Sequence, residues 1–153
     1  MQDSGDSIIR KHDGGYRKLE VYQLAHSLAI SVHKMTMGLP KFEIYEEGSQ
    51  IRRSAKSVPS NLVEGYVLRK YKAEFLHYLY RAQASSEETV EHLKIHYATE
   101  SLKDEKLFND LLSSYDRLYA MIFRFIQSVE KQHEKPKFLK DDEISYDPEK
   151  PEP

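Results

Sequence analysis

Apolar residues recur every three to four positions along most of the chain, which is the spacing of one face of an α-helix. Four stretches carry this pattern and predict helices, at about 18–37, 47–68, 72–99 and 105–131. The third stretch is the most regular, because its apolar residues fall within about 60° of Leu79 on a helical wheel. Short connections favour antiparallel neighbours, so the pattern predicts an all-α, antiparallel up-and-down four-helix bundle.

The second stretch contains a proline within the helical pattern. Counted at 100° per residue from Val58, the small and apolar residues on both sides of Pro59 share one face. Proline has no N–H to donate, and its ring crowds the carbonyl of Ala55. We therefore expect the second helix to bend at Pro59 without losing its buried side.

Four residues of this motif are predicted to have structural roles: Pro59, Asn61, Glu64 and Gly65. Asn61 falls on the buried face, where an unpaired amide would cost about 1 to 3 kcal/mol. Carbonyls released near Pro59 would accept its hydrogen bonds. We expect Glu64 to pair with Arg53 or with a basic group of a neighbouring chain. Gly65 would allow close packing or end the helix.

The residues from Gln50 to Gly65 resemble the core motif of a family of small bacterial four-helix-bundle proteins. This family includes the protein encoded by intervening sequences of large-subunit ribosomal RNA genes. The shared pattern is a pair of arginines, then small residues, an aliphatic residue, proline, asparagine, glutamate and glycine. Weaker agreement extends over about residues 16–131.

The resemblance implies an assembly and a ligand. Members of the family form ring-like homopentamers, which implies a homopentamer here. The accessory proteins of diversity-generating retroelements look like the same bundle and bind nucleic acid together with a reverse transcriptase. Structured RNA or a nucleic-acid-processing protein is therefore the partner that the resemblance implies.

The fourth predicted helix has more apolar surface than one face of a bundle needs. Its apolar arc spans roughly 200°, against the roughly 100° expected of a surface helix. The surplus predicts a subunit interface, and the alternative is that these residues cover loops or terminal segments. The predicted interface residues are Phe108, Leu112, Tyr119, Phe123 and Ile126.

The formal charge of -2 is unevenly distributed along the chain. The segment 132–153 has four lysines against seven acidic residues, a net of -3, which leaves residues 1–131 at +1. It also holds four of the six prolines, and this composition predicts a disordered tail. We expect three parts: a flexible segment at 1–15, the bundle at 16–131 and the tail at 132–153.

Basic residues that are predicted to face solvent lie on the second helix, at the bend that follows it and on the third helix. In a ring of subunits these charges would repeat and form a basic surface able to hold phosphates without reading bases. An ordinary solvated face is the alternative. The candidate nucleic-acid-binding residues are Arg52, Arg53, Lys56, Arg69, Lys70 and Arg81.

No pattern in the sequence points to catalysis. Glu74 and His77 have the Glu-x-x-His spacing of di-iron bundles, as do Glu130 and His133, but the first pair faces away from the core and the second lies at a helix end. The set Glu88, His92 and His96 is also predicted to face solvent. Glycine-rich phosphate loops and serine nucleophile motifs are absent from the sequence. We expect no catalytic residue, no metal site and no cofactor.

The chain has no cysteine, which excludes a disulfide framework and a thiolate site. It shows neither a signal-peptide pattern nor the roughly 20 consecutive apolar residues that a membrane span needs. We therefore expect a cytoplasmic protein with no membrane partner. The expected function is non-catalytic binding or scaffolding by an oligomer, with structured RNA or a nucleic-acid enzyme as the leading ligand. The alternative is a protein interaction module, or a structural oligomer, that binds no nucleic acid.

Overall fold

A computed structural model describes residues 15–134 of the chain. A 3-10 turn at Tyr16–Lys18 is followed by five helices, namely α1 (Glu20–Thr36), α2 (Lys41–Tyr45), α3 (Glu47–Val67), α4 (Lys72–Ala98) and α5 (Glu105–Glu134). Between residues 15 and 134 no β-strand occurs, which confirms the all-α prediction. Of the predicted flexible segment 1–15 and the predicted tail 132–153, residues 1–14 and 135–153 lie outside the described residues. Residues 132–134 are helical and belong to α5, so the helix ends three residues later than predicted.

The four long helices form a closed ring of neighbours. Helices α3 and α4 share the most extensive contact, and contacts of α4 with α5, of α5 with α1 and of α1 with α3 complete the ring. Gly65 near the end of α3 lies against Phe75 near the start of α4. The Lys72 Nζ at the start of α4 donates to the carbonyl of Glu130 near the end of α5, at 3.2 Å. Neighbouring helices are therefore antiparallel, as predicted for an up-and-down bundle.

The core lies along the axis of this ring and draws on all four long helices. Each helix contributes at least one fully buried aliphatic side chain: Val32, Ile51, Leu79 and Leu118. These residues belong to the faces that the apolar spacing predicts. Burying an aliphatic side chain of this size stabilises the fold by about 1.5 to 3 kcal/mol.

Helix α3 runs without interruption from Glu47 to Val67 and contains Pro59. Val58 and Leu62 on either side of the proline are both buried in the core. Packing on this face holds the helix together where Pro59 cannot donate a hydrogen bond. The bend expected at Pro59 stays a prediction.

The sequence pattern missed α2. This helix has only five residues, too few to show a 3.6-residue period. It begins after Pro40, whose carbonyl accepts hydrogen bonds from the backbone N–H groups of Glu43 and Ile44 at 2.9 and 3.2 Å. Helix α2 packs on the start of α3, where it covers surface that the pattern leaves open to solvent.

Candidate binding surface on helices α1 and α3

The flank of α3 that faces α4 is closed by a network of small hydroxyl side chains. The Ser57 and Ser85 hydroxyls lie 3.0 Å apart across the two helices. Thr89 donates to the Ser54 hydroxyl at 2.9 Å and its side chain lies 2.8 Å from the carbonyl of Ser85. We call Ser54, Ser57, Asn61, Ser85 and Thr89 the polar seam. Small side chains bring the two backbones close while their hydroxyls remain hydrogen-bonded.

Asn61 extends the polar seam within α3. Its side chain is only 7% exposed, and its amide nitrogen donates to both the carbonyl and the hydroxyl of Ser57, each at 2.9 Å. This confirms that the asparagine is buried and hydrogen-bonded, but its acceptor is not a carbonyl that Pro59 releases. The acceptor belongs to Ser57, whereas the proline leaves the carbonyl of Ala55 without its helical donor.

Gly65 has a packing role, and Glu64 does not pair with Arg53 within the chain, so its pairing with a basic group of a neighbouring chain stays a prediction. A Cβ atom at Gly65 would lie 3.0 Å from the Cβ of Tyr78 and 3.4 Å from a ring carbon of Phe75, so only glycine allows this approach of α3 to α4. Helix α3 continues for two more residues, so Gly65 does not end it. Glu64 is exposed, and no ion pair joins it to Arg53 in the described part of the chain. The predicted pairing of Glu64 with Arg53 is therefore wrong.

Arg52 is a structural residue, which corrects its assignment to the nucleic-acid-binding surface. Its guanidinium donates to the hydroxyl of Thr36 at 3.0 Å and to the carbonyl of Ile44 at 2.7 Å. The side chain is half-buried and joins α1, α2 and α3 at one end of the bundle. Two of its five N–H donors are used inside the chain and the side chain is held against its own bundle, so its main role is to join these helices rather than to bind a phosphate.

The flank of α3 that faces α1 is open. Between these helices lies a groove of about 480 Å³, which we call the α1–α3 groove. Its lining residues are Tyr22, His26, Ala29, Ile30, His33 and Lys34 of α1, with Lys56, Pro59, Ser60 and Val63 of α3. Aliphatic and ring carbons dominate this lining, and Ile30 is 44% exposed within it. Pro59 therefore has the polar seam on one side of its helix and an open apolar surface on the other.

The rim of the α1–α3 groove is basic. Lys34 and Lys56 line it, and no carboxylate does. Arg53 is exposed one turn before Lys56 on α3 and is its i, i+3 neighbour. Within residues 15–134 none of these three cations has an ion-pair partner. One predicted binding residue, Lys56, thus shares the groove with Lys34, which the sequence did not single out, and a second, Arg53, is exposed one turn away outside the groove lining.

The remaining basic residues of the predicted surface lie elsewhere. Arg69 donates to the carbonyl of Tyr66 at 3.0 Å and its guanidinium carbon lies 4.3 Å from the centre of the Tyr66 ring. The Lys70 ammonium lies 5.9 Å from the ring centre of Tyr71. These two residues belong to the turn between α3 and α4, while Arg81 is exposed on α4. None of the three lines the groove.

The predicted interface on α5 divides into three groups. Tyr119 and Phe123 are 39% and 48% exposed and form an outward apolar pair. Leu112 and Phe108 are half-buried, and Phe108 stacks on Tyr97 of α4 with ring centres 4.1 Å apart. Ile126 is only 3% exposed and belongs to the core of the single chain. The interface assignment is therefore wrong for Ile126, because its side chain is already covered by its own bundle.

The histidines predicted to face solvent on α4 are instead half-buried or buried, and His92 lies against the start of α3. His92 Nδ1 lies 2.8 Å from a carboxylate oxygen of Glu47, and its Nε2 lies 3.5 Å from one of Glu88. His96 is 1% exposed. Burial lowers the pKa of His96, and the nearby carboxylates of Glu47 and Glu43 oppose this shift. Among residues 15–134 no group of three histidine, aspartate or glutamate side chains has an arrangement that could hold a metal ion.

The geometry defines a four-helix bundle whose motif helix is closed on one flank and carries an apolar, basic-rimmed groove on the other. The chain belongs to the family described as 23S rRNA-intervening sequence protein, whose model matches residues 17–124. This confirms the family that the motif in α3 indicates.

A solved structure shares this fold. It is a 1.70 Å crystal structure of a protein of unknown function from the S23 ribosomal protein family of Bacteroides thetaiotaomicron. The two chains are 20% identical with a TM-score of 0.61, and the match covers 70% of this chain and 95% of that chain. No curated protein matches the sequence. In the described part of the chain no helix has the length and apolar character to cross a membrane.

The α1–α3 groove is the part of the site that sequence reasoning missed. A signal for it exists, because Ile30 and Val63 are apolar residues about 160° and 140° from the buried centres of their helices. An apolar residue on the outer side of each of two adjacent helices indicates a shared surface. The pairing of α1 with α3 is known only once the order of helices around the bundle is known.

Proposed function

We propose that this protein is a non-catalytic, homo-oligomeric binding protein that holds structured RNA on the surface formed by α1 and α3. The observation that carries the proposal is the pair of exposed lysines, Lys34 and Lys56, that line the α1–α3 groove without carboxylate partners in the described part of the chain, with Arg53 exposed as a third unpaired cation one turn away on α3. Unpaired cations on one surface attract phosphates, because no internal carboxylate competes for them.

A single subunit would bind RNA weakly. Residues 1–131 have a net charge of only +1, and Arg52 is already used inside the bundle. A symmetric assembly would present the three cations once per subunit and so raise the number of phosphate contacts made at once. The assembly that we propose, following the family, is a cytoplasmic homopentamer.

The outward pair Tyr119 and Phe123 on α5 supports self-association. Two large aromatic side chains exposed on one helix side are typical of a surface that another chain covers. Helix α5 and the α1–α3 groove lie on different flanks of the bundle, so assembly through Tyr119 and Phe123 leaves the groove open.

Light scattering after size-exclusion chromatography tests the assembly. The expected mass is about five times the 18.0 kDa of one chain, as for a cyclic oligomer. Phe123→Glu is expected to shift the protein toward the monomer, because it places a charge in the apolar contact. Phe42→Glu is the matched control, since Phe42 is 64% exposed on α2 and belongs to another surface. A monomeric wild-type protein would contradict this part of the proposal.

Binding of a structured RNA hairpin at increasing salt tests the ligand. Affinity should fall steeply with salt, with a slope of roughly -0.7 to -0.9 in log-log units for each phosphate contact. Lys56→Glu should weaken binding of different RNA sequences by a similar factor, because contacts to phosphate carry no base information. Lys94→Glu on the exposed side of α4 is the charge-matched control. If binding is absent at low salt, the RNA proposal fails.

A protein ligand is the second candidate, and the apolar floor of the α1–α3 groove favours it. Ile30, Pro59 and Val63 offer contact to aliphatic or aromatic side chains, which phosphates lack. Affinity for such a partner would change little with salt and would fall on Ile30→Ser. The same salt titration therefore separates the two candidates.

A further inference from the structure

The α1–α3 groove combines an apolar floor with a basic rim, and the same chain contains a segment of complementary composition. We propose that the acidic segment 141–149 docks in the α1–α3 groove of its own chain. This segment lies outside the described residues, and its sequence is Asp-Asp-Glu-Ile-Ser-Tyr-Asp-Pro-Glu. Docking would cover the groove in the absence of an external ligand.

Charge is the first point of complementarity. Segment 141–149 contains five carboxylates and no basic residue. The groove contains Lys34 and Lys56 on its rim, with His26 and His33 beside them, and no carboxylate. Opposite charges on the two surfaces favour their association and fix its orientation.

The spacing of apolar residues is the second point. Side chains two positions apart lie on the same side of an extended chain. Ile144, Tyr146 and Pro148 would therefore share one side of the segment, with four of its five carboxylates on the other. The apolar side matches the groove floor at Ile30 and Val63, and the acidic side remains next to the lysines and solvent.

The position of the end of α5 is the third point. The last turns of α5 lie beside the start of α4, because Lys72 bonds to the carbonyl of Glu130. Tyr16 packs on both Tyr22 and Tyr66, with ring centres 5.0 and 6.4 Å apart. Because Tyr66 lies at the end of α3, just before the turn into α4, the Tyr22 end of the groove is at this same end of the bundle.

The chain beyond α5 is long enough to reach the groove. Helix α5 packs against α1, which forms one wall of the groove. The six residues 135–140 can extend over roughly 20 Å, about twice the 8 to 10 Å between neighbouring helix axes. Segment 141–149 can therefore reach its own groove by crossing only α1.

The segment before Gly15 enters at the same end of the bundle and is the competing occupant. Residues 1–14 contain three aspartates but also Arg10 and Lys11, so their charge is close to balanced. The acidic segment 141–149 is the better match to a groove that lacks carboxylates. Deletion of residues 1–14 provides the control for this choice.

Tryptophan fluorescence of the full chain tests the docking, because the natural sequence has no tryptophan. In the Tyr146→Trp variant a docked segment should give blue-shifted emission and weak quenching by acrylamide. The exposed reference is Tyr45→Trp, since Tyr45 is 80% exposed on α2. A tethered segment has an effective concentration of about 1 mM, so an intrinsic dissociation constant near 0.1 mM would leave about 90% of chains docked and lower the quenching constant several-fold.

Charge reversal in the groove is the decisive comparison. Adding Lys34→Glu and Lys56→Glu to the Tyr146→Trp chain should raise its quenching to the level of the Tyr45→Trp reference. Adding Lys94→Glu and Lys103→Glu, which reverse two exposed lysines outside the α1–α3 groove, should leave quenching low. Equal quenching of Tyr146→Trp and Tyr45→Trp in otherwise natural chains would overturn the proposal, as would protection that survives reversal of Lys34 and Lys56.

Two further experiments identify which segment occupies the α1–α3 groove. If protection returns when the charge-reversed Tyr146→Trp chain is mixed with excess natural protein, the segment docks in a neighbouring subunit and the same-chain proposal is wrong. Deletion of residues 1–14 should leave the protection of Tyr146→Trp unchanged, and a clear gain of protection would show that residues 1–14 occupy the groove in the natural chain and would overturn the proposal. Under the proposed function, RNA should displace the segment and shift the emission to the red. The fluorescence comparisons above contain no RNA, so the docking proposal can be tested even if the RNA-binding proposal fails.

Discussion

The two flanks of α3 differ in what they leave for a ligand. Toward α4, serine, threonine, asparagine and glycine bring the backbones together, and the polar seam bonds to itself. Toward α1, Lys56, Pro59 and Val63 line an open groove. Both flanks belong to one 21-residue helix.

This difference separates the motif that identifies the family from the surface that we expect to function. Asn61 and Gly65 of the motif serve the contact with α4, and Arg52 holds three helices together. Arg53 and Lys56, on the same helix, point to solvent. Substitutions on the closed flank should therefore change stability, and substitutions on the open flank should change binding.

Gly65→Val should have the largest effect on the closed flank. The first added carbon already lies 3.0 Å from the Cβ of Tyr78, and valine adds two methyl groups to this contact. Overpacking of this kind costs about 2 to 3 kcal/mol of unfolding free energy, measured by urea denaturation. Gly38→Ala is the control, because its added carbon would approach only the Met35 carbonyl, at 3.5 Å. A stability of Gly65→Val within error of the natural protein would contradict the close packing.

Arg52→Ala should be the next most destabilising change. It removes two hydrogen bonds from a charged donor and leaves the carbonyl of Ile44 without that partner, a loss of about 2 kcal/mol. Arg53→Ala, one residue along the helix, should stay within about 0.5 kcal/mol because its side chain is exposed. Thermal or urea unfolding of the two variants side by side measures the difference. Equal losses would remove the distinction between the structural and the exposed arginine.

Asn61→Ala should cost about 1 kcal/mol, the usual net contribution of a buried neutral hydrogen bond. Its amide donates to Ser57 twice, but both acceptors retain other partners, in the helix and at Ser85. Ser60→Ala on the exposed side of the same turn is the control and should be close to neutral. A loss above that of Arg52→Ala would show that the polar seam is more important than the arginine contacts.

A smaller effect is expected from pH at the buried histidine of α4. Burial lowers the pKa of His96 below its ordinary value of 6.5. As pH falls, the His96 imidazole is therefore protonated in the unfolded chain before it is protonated in the folded one. The contribution of His96 to stability is fully present above pH 6.5 and is lost as pH falls through the folded pKa. His96→Gln should therefore flatten the fall in unfolding free energy between pH 7 and pH 5. A fall in unfolding free energy that is as steep in His96→Gln as in the natural protein would contradict this role.

Most of the bundle could be predicted from the sequence, because apolar spacing reports burial directly. The long helices begin and end within about three residues of their predicted bounds. Val58 and Leu79, taken as the centres of their buried faces, are both fully buried. The same spacing identified the closed flank of α3.

The errors have a common cause: a helical wheel describes one helix by itself and takes no account of the helices and loops that pack against it. Arg52 and His96 lie on sides that a wheel leaves to solvent, but Arg52 bonds to Ile44 of α2 and His96 is buried. Ile126 lies toward one edge of a wide apolar arc, and only the packing of α5 decides that this edge is buried. The α1–α3 groove likewise exists only because these two helices are neighbours.

The most direct test of this account compares RNA affinity and unfolding free energy in one double variant, Arg53→Glu with Lys56→Glu. The account predicts a large loss of affinity at low salt, with stability changed by no more than about 1 kcal/mol, since both side chains are exposed. Lys94→Glu with Lys103→Glu should leave both quantities near their natural values. RNA binding that is unchanged in the Arg53→Glu, Lys56→Glu protein would contradict the assignment of the open flank as the binding surface.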